Sequence, residues 1–303
     1  MRIQDVDLRL LRLFVTVVQS GGFTAAASRL NVGRPTISTQ MADLETRLGM
    51  RLCERGRSGF SLTEHGEQVY DRAQQLLARV EDFGADMDAI QGNLSGEINL
   101  GQIDYMTSLA EFRMSDTIRQ FCDAAPKVNI NLLVLPEEEV VRGVVDGRLH
   151  LGIVSDSANS SGLAVHEFLH ESLFLYCSVD HPLFARNDSS ISKRALAQAR
   201  LAGGSMAADP LRKLRGKERA DARANNLEAV LMLIRSGRYV GYLPDHFARG
   251  FVEEGELRAL KPELTCVPGG LPVITRTRAR KSPQLDLFLS MLLRQGAAAV
   301  RSA

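Results

Sequence analysis

The sequence predicts three parts: an α-rich winged helix-turn-helix domain, a long linker helix, and an α/β domain filling the remainder. Three observations carry this. Two helical patterns joined by a tight turn occupy residues 7–48. Apolar residues then recur in steps of 4 and 3 from Val69 to Ile90, and strand-like and helix-like runs alternate from Glu97 to about residue 254. The boundaries fall at 1–63, 64–92 and 93–303.

The first helix follows from Leu8, Leu11, Val15 and Val18, whose spacing puts them on one face over residues 7–19. Gly21 and Gly22 end it. Thr24 is expected as the cap of a short alanine-rich helix, since its hydroxyl can accept from orphan N–H groups. Asn31-Val32-Gly33 forms the turn. Pro35 belongs in the first turn of the next helix, where a missing N–H costs nothing. That helix, 34–48, carries Ile37, Met41, Leu44 and Leu48 on one face. Pro35, Thr36, Thr39, Ala42 and Asp43 lie opposite, all small or weakly polar. Such a face fits into a DNA groove, with Arg34, Pro35, Thr36, Ser38 and Thr39 the candidate contacts. An ordinary helical hairpin in some core has the same spacing, so spacing alone leaves both readings open.

The next segment separates them. Arg51 to Thr63 reads as two short strands around a Gly- and Arg-rich turn, a wing whose Arg55 and Arg57 are placed for phosphates or the minor groove. Residues 1–66 hold nine Arg against six carboxylates, an excess of three, and no Lys. The planar Arg fork bonds two acceptors at once, which suits phosphate and guanine edges.

The run LRLLRLFVTVVQSGGFTAAASRLNVGRPTISTQMADLETRLGMRLCERGRSGFSLTEHG resembles the N-terminal domain of LysR-type transcriptional regulators. The likeness rests on Phe14, the Gly-Phe-Thr-Ala-Ala-Ala block, Pro35 with Ser38, Leu44-Glu45 with Leu48-Gly49, and Leu62-Thr63 with Gly66. Two positions depart from it: Gly33 stands where the family usually has a capping Ser, and Cys53 replaces a usual Phe beneath the wing.

From Val69 the apolar positions Ala73, Leu76, Val80, Phe83, Met87 and Ile90 complete three heptads, so this helix needs a partner. The partner is either the same helix of a second copy or the chain's own C-terminal domain. The resemblance implies the first, giving a dimer and usually a tetramer. Gly84 is placed as a bend, and Gln91 to Gly96 as a hinge.

In the C-terminal part the runs 97–101, 128–135, 149–154, 173–179 and 239–243 read as strands. Helical patterns lie near 112–124, 137–147, 192–199, 225–237 and 244–254. GEINLG, VVDGRLHLGIV and NNLEAVLMLIRSGRYVGYLPDHFARGFVEEGELRAL resemble the family's effector-binding domain. That domain is similar to periplasmic binding proteins, with two α/β lobes around a cleft. The resemblance implies lobes at about 97–164 with 270–300, and 165–267, the chain crossing near 162–168 and 266–272. It also implies a small-molecule effector touching Asp104, Tyr105, Met106, Thr107 and Ser155 after strands of the first lobe, and Gly204, Ser205 and Asn226 in the second. Asp104 is either a ligand contact or a helix cap, and Asn226 is equally well a cap. The implied partners are double-stranded promoter DNA, a second copy, the effector and RNA polymerase.

Other classes fit less well. No apolar run reaches the ~18 residues of a membrane helix, and the charges within MRIQDVDLRLLRLF do not suit a signal peptide. A cytoplasmic protein without a membrane partner is expected, which counts against an extracytoplasmic solute binder. No GxSxG, GxGxxG or phosphate loop is present, and no catalytic residue or cofactor is expected. His166 and His170 lack a clear third ligand, so no metal is expected either, and His150 reads as a packing or interlobe residue rather than a catalytic base. A redox-sensing regulator would need Cys177 and Cys266 to pair, whereas Cys53 and Cys122 are scattered and no CxxC occurs.

Overall fold

In the N-terminal unit, apolar stripes at helical spacing converge on one small core. The computed structural model describes residues 4–56, 59–90, 93–156, 158, 161–203, 210–215, 221–277 and 282–300. Its contacts divide the chain into two units, 1–90 and 91–303.

The first unit holds helices α1 (Asp5–Gln19), α2 (Phe23–Leu30), α3 (Arg34–Leu48) and α4 (Glu64–Ile90), with a hairpin of β1 (Cys53–Gly56) and β2 (Gly59–Leu62) before α4. Phe14, Val17, Ile37, Met41 and Leu44 form a fully buried centre. Cys53 is buried in the same core, as its place beneath the wing requires. The cap of α2 is Gly22 rather than Thr24, which lies inside the helix. Gly22 has φ +138°, open to glycine and hardly to Thr, and it frees the chain to turn two residues earlier.

Gly66 allows a closer approach. A Cβ there would meet the Leu52 carbonyl oxygen at 2.0 Å, so α4 can start against the strand entry only with glycine at this position. Thr63 completes the junction. Its hydroxyl accepts from the Gly66 N–H at 2.9 Å and donates to the Arg51 carbonyl at 2.7 Å.

The heptad positions of α4 divide into two groups. Val69, Ala73 and Leu76 pack into the chain's own winged-domain core, and the Tyr70 ring meets Phe14 edge-on at 6.2 Å. These three therefore do not form a free seam for a second copy, because α1 leaves an apolar flank that they cover. Phe83 and Ile90 remain 52% and 78% exposed in the single chain. The helix runs through Gly84 without interruption.

The second unit carries one mixed sheet. In chain order its elements are β3 (Ser95–Gln102), α5 (Met114–Ala124), β4 (Lys127–Val134), α6 (Glu137–Asp146), β5 (Leu151–Ile153) and β6 (Leu163–Ser178). They continue with α7 (Lys193–Gln198), β7 (Leu201–Ala202), α8 (Arg212–Arg215), α9 (Leu227–Arg235), β8 (Val240–Pro244) and α10 (Asp245–Glu253). Last come β9 (Leu257–Ala259), α11 (Pro262–Thr265), β10 (Val267–Arg276) and α12 (Pro283–Val300). The strand order is β4-β3-β5-β10-β6-β8-β7, with β9 also on β6. β3 runs parallel to β4 and β5, and β7 parallel to β8. β6 and β10 form a long antiparallel pair, Leu163 opposite Arg276 and Leu173 opposite Val267.

That pair runs through the segments near 162–168 and 266–272, where the resemblance implies the crossings. β6 is much longer than the 173–179 strand predicted, and the chain changes lobe within its length. The cores are separate on the two sides. Phe121 of α5 and Phe288 of α12, ring centroids 5.2 Å apart, centre one. Leu175, Leu196, Val240 and Leu260 lie in another, and Val230, Ile234 and Leu243 in a third. Ser95 and Gly96 open β3 rather than a hinge, while Gln91 and Gly92 lie outside the described residues. Among the described residues no single helix is long and apolar enough to cross a membrane.

Candidate functional site

The outward face of α3 is the first candidate. Gly33 caps the helix with φ −68° and no side-chain bond, and Pro35 lies in the first turn. Arg34, Pro35, Thr36, Thr39, Ala42 and Asp43 are exposed and Ser38 half-buried, while Ile37, Met41 and Leu44 anchor the opposite side. Thr39 donates its hydroxyl back to the Pro35 carbonyl at 3.0 Å, leaving its methyl to face outward with the other small groups.

The far end of α3 is fixed from two directions. Arg47 Nε donates to Asp7 Oδ1 at 2.5 Å, and Arg47 Nη2 to Gln4 Oε1 at 3.0 Å. The Gln4 N–H donates to Asp7 Oδ2 at 2.8 Å. The Arg47 guanidinium, with the Gln4 N–H, holds the Asp7 carboxyl below its usual range. Glu45 Oε1 accepts from Leu52 N and Cys53 N at 2.8 and 3.2 Å, tying α3 to the base of the hairpin. Arg55 stands on β1 opposite Phe60, and Arg57 lies outside the described residues.

The second candidate is a cavity of about 740 Å³ in the C-terminal unit. Its wall draws on the ends of β3 and β4, the start of α6, the segment after β5, the middle of β6, the start of α9 and the start of β10. Of the predicted effector residues, Asp104, Tyr105, Ser155 and Asn226 line it. Met106 does not, being 1% exposed within the first lobe's core, where its apolar chain is better placed. Thr107 is exposed in the short turn after Tyr105 and is not on the wall. Gly204 and Ser205 lie outside the described residues.

Asp104 joins the lobes. Its Oδ2 accepts from the Leu227 N–H at 2.8 Å, at the first turn of α9 in the opposite lobe. It is thus a helix cap, but of a helix 123 residues away rather than the one that follows it. Half-burial raises the Asp104 carboxyl above its ordinary value, with the Leu227 N–H opposing that rise. Asn226 caps the same helix end locally, its Oδ1 accepting from Ala229 N at 2.8 Å.

Beside this contact Tyr105 holds φ +56°, uncommon for a side chain of its size. Its hydroxyl donates to Glu171 Oε1 at 3.2 Å, and its ring lies tilted against His246 at 5.9 Å and edge-on to Phe247 at 6.2 Å. Burial, followed by the Glu171 charge, pushes the phenol further up. Glu171, on the crossing strand, also meets His246 Nε2 at 3.1 Å, and His246 Nδ1 meets Ser108 Oγ at 2.8 Å. The chain Tyr105–Glu171–His246–Ser108 therefore connects the first lobe, the crossing strand and α10.

Sequence reasoning omitted Glu137, Glu171, Leu173 and the Val267–Gly270 segment from the site. Glu137 had a signal, since it opens the helix beyond the carboxyl end of a strand, where ligands of α/β sheets bind. Glu171 had none, because it lies mid-strand and reaches the cavity only through the crossing. Elsewhere, His166 Nε2 is bonded to Thr275 Oγ1 at 3.0 Å, and His150 Nδ1 accepts from Asn99 N at 2.9 Å, the packing role expected of it. The described residues contain no group of three ligands suited to a metal. Cys177 is buried, and burial pushes its thiol up to about 12, away from the reactive thiolate. Cys266 precedes Val267, which pairs with Leu173, so along the strands it falls about 10 Å short of Cys177. That exceeds disulfide reach.

The comparisons agree with this division. Residues 8–67 match the family described as bacterial regulatory helix-turn-helix protein, lysR family, and residues 91–297 match the LysR substrate binding domain. The chain is 38% identical to the transcriptional activator BauR of Pseudomonas aeruginosa over 95% of both chains. It is 27% identical to the regulator EstR of Acinetobacter baylyi over 95% of this chain and 96% of that one. The crystal structure of CbnR, a LysR family transcriptional regulator, superposes with TM-score 0.64 at 20% identity, covering 95% and 99% of the two chains. CbnR complexed with its target DNA gives TM-score 0.62 at 22% identity, covering 95% and 99%. A lysR-family helix-turn-helix carried on one chain with a LysR substrate binding domain is what the matched family models describe, and the chain belongs to the LysR-type transcriptional regulators, which bind DNA and are not enzymes.

Proposed function

We propose that this regulator reads an inverted-repeat promoter site as a dimer or dimer of dimers, and that a small molecule in the interlobe cavity controls it. The observation that carries the second half is the wall of that cavity. Residues from both lobes line it, and Asp104 bonds from one lobe to a helix end of the other. A molecule lodged there would alter how the lobes close. Such a bistable change would move the DNA-binding domains and alter DNA bending, with a coupling of about 1–3 kcal/mol. RNA polymerase would respond to the altered complex. Arg34, Thr36, Ser38 and Thr39 are the proposed base and phosphate contacts, with Arg55 and Arg57 on the wing. Phe83 and Met87 with their neighbours on α4 would form the remaining seam between copies. The protein would work in the cytoplasm and need no cofactor.

The test begins with genome-wide footprinting to find the promoter. A reporter from that promoter is then followed across carbon and nitrogen sources. Leu173→Trp, which fills the cavity, should leave the footprint intact and abolish the response. An unchanged response would remove the cavity from the mechanism. Thr36→Ala should change site preference, and parental preference would remove the α3 assignment.

A further inference from the structure

We propose that the ligand of this cavity is a small amine, bound as its protonated cation. The inference rests on reading the cavity as the effector site and concerns the charge of what fills it. Four carboxylates line the wall, Asp104, Glu137, Asp156 and Glu171, and no Lys or Arg does among the described residues. The walls around them are aliphatic, with Ile103, Leu135, Leu173, Val230 and Val267 exposed to the space. A short hydrocarbon body with a charged nitrogen satisfies both.

The usual place for an anion in such a cleft is already filled. A helix N-terminus offers free N–H groups and a positive dipole end. Here the first turn of α9 gives its Leu227 N–H to Asp104 and its Ala229 N–H to Asn226. A carboxylate ligand would have to displace a protein carboxylate and then sit among three more. Like charges at such distances repel strongly in a partly dry site.

The carboxylates also keep acceptor capacity. Glu137 uses Oε2 for the Ser155 N–H and hydroxyl, at 2.9 and 2.5 Å. Asp156 uses Oδ2 for the Gly270 N–H at 2.9 Å. Oε1 of Glu137 and Oδ1 of Asp156 have no partner among the described residues, and an ammonium brings three donors. The four groups come from separate segments and are held by different donors, Asp104, Glu137 and Asp156 by backbone N–H groups and Glu171 by Tyr105 and His246, and no metal-binding group of three is found among the described residues. An organic cation fits this spread better than a metal ion.

The test uses the full-length protein with n-butylamine, 1,4-diaminobutane and benzylamine against n-butyrate, benzoate and n-butanol at constant ionic strength. Melting temperature and titration calorimetry are read for the parent, Glu137→Gln and Asp156→Asn. The amines should raise the melting temperature where the acids and the alcohol do not. Each variant should bind the best amine about tenfold more weakly, the loss expected for one charge-assisted bond. Both replacements are isosteric, and their melting temperatures without ligand report whether they fold. Stabilisation by acids alone would keep the cavity as a ligand site and overturn the amine. Equal amine binding by parent and both variants would overturn it too. No response to any probe would remove the cavity reading and the amine with it.

Discussion

The contact between Asp104 and α9 gives the sharpest prediction. Leu227 is the first residue of α9, so its N–H has no acceptor within the helix. Its partner is Asp104 Oδ2 at 2.8 Å. A hydrogen bond to a charged group contributes about 1.5–3 kcal/mol. Asp104 is only half-buried, which favours the lower figure, and about 1.4 kcal/mol is a factor of ten. In Asp104→Ala the Leu227 amide should therefore exchange its hydrogen about tenfold faster. Asp104→Asn retains a neutral acceptor and should fall between. Ala229, whose N–H is held by Asn226, should keep its parental rate in both variants and serves as the internal control. Amide exchange followed by mass spectrometry or NMR gives all three rates. If Leu227 exchanged at the parental rate in Asp104→Ala, the lobes would not be joined by this bond. A pH arm checks the same residue. Burial raises the folded carboxyl above 3.8, so the folded state holds the proton more tightly than the unfolded chain. The associated stability is complete below 3.8 and is lost as pH rises through the folded value. Asp104→Asn should accordingly gain on the parent in melting temperature at neutral pH, and the gain should vanish below about pH 4.

Three further outcomes follow from the geometry. Gly66→Ala puts a methyl 2.0 Å from the Leu52 carbonyl and should cost about 3 kcal/mol, read as a fall of about 10 °C or more in the melting of the N-terminal unit; a shift within a degree would discredit the junction described. Gly33→Ser meets only ordinary contacts, Pro35 Cδ at 3.6 Å, and adds the missing cap, so a gain of a few tenths of a kcal/mol is expected, whereas destabilisation would count against Gly33 as cap. Titration with a disulfide reagent should label exposed Cys122 and Cys266 quickly and leave Cys177 unlabelled until unfolding, since burial both hides its thiol from the reagent and disfavours the thiolate; early labelling of Cys177 would reopen the redox reading.

Much of the fold was legible because local rules governed it. Ile37, Met41 and Leu44 were read onto the buried side of α3 from 3.6-residue periodicity, and the packing had no reason to override that pattern. The failures came where tertiary contacts decided. Thr24 has better capping chemistry than Gly22, but the turn needed φ +138° and so chose the glycine. Val69, Ala73 and Leu76 satisfy a heptad and equally satisfy the flank of α1; a period cannot name the partner, and the nearer one took them. The first half of β6, AVHEFLHES, also reads as strand-like, but its polar residues set it apart from the apolar run at 173–179, so one continuous strand of 16 residues was not predicted. That half is stabilised by β10, whose residues lie about a hundred positions later.

The site was legible to the extent that it obeyed the rule for strand ends. Asp104, Tyr105 and Ser155 follow strands and do line the cavity, while Met106 follows one too and turns inward, because a loop position fixes the neighbourhood of a side chain and not its direction. Asp104 shows what a single sequence withholds. Both the ligand contact and the cap were open to it, and the structure makes it a cap whose helix belongs to the other lobe. A carboxylate spent on that contact both holds the lobes together and fills the anion site of α9. The same bond that links the lobes thus bears on which ligand charge the cavity admits. A ligand that weakened it would lower the cost of lobe opening, whereas one that drew Asp104 and Glu137 together would raise it. Asp104 thus contributes both to the charge of the cavity and to the contact between the lobes.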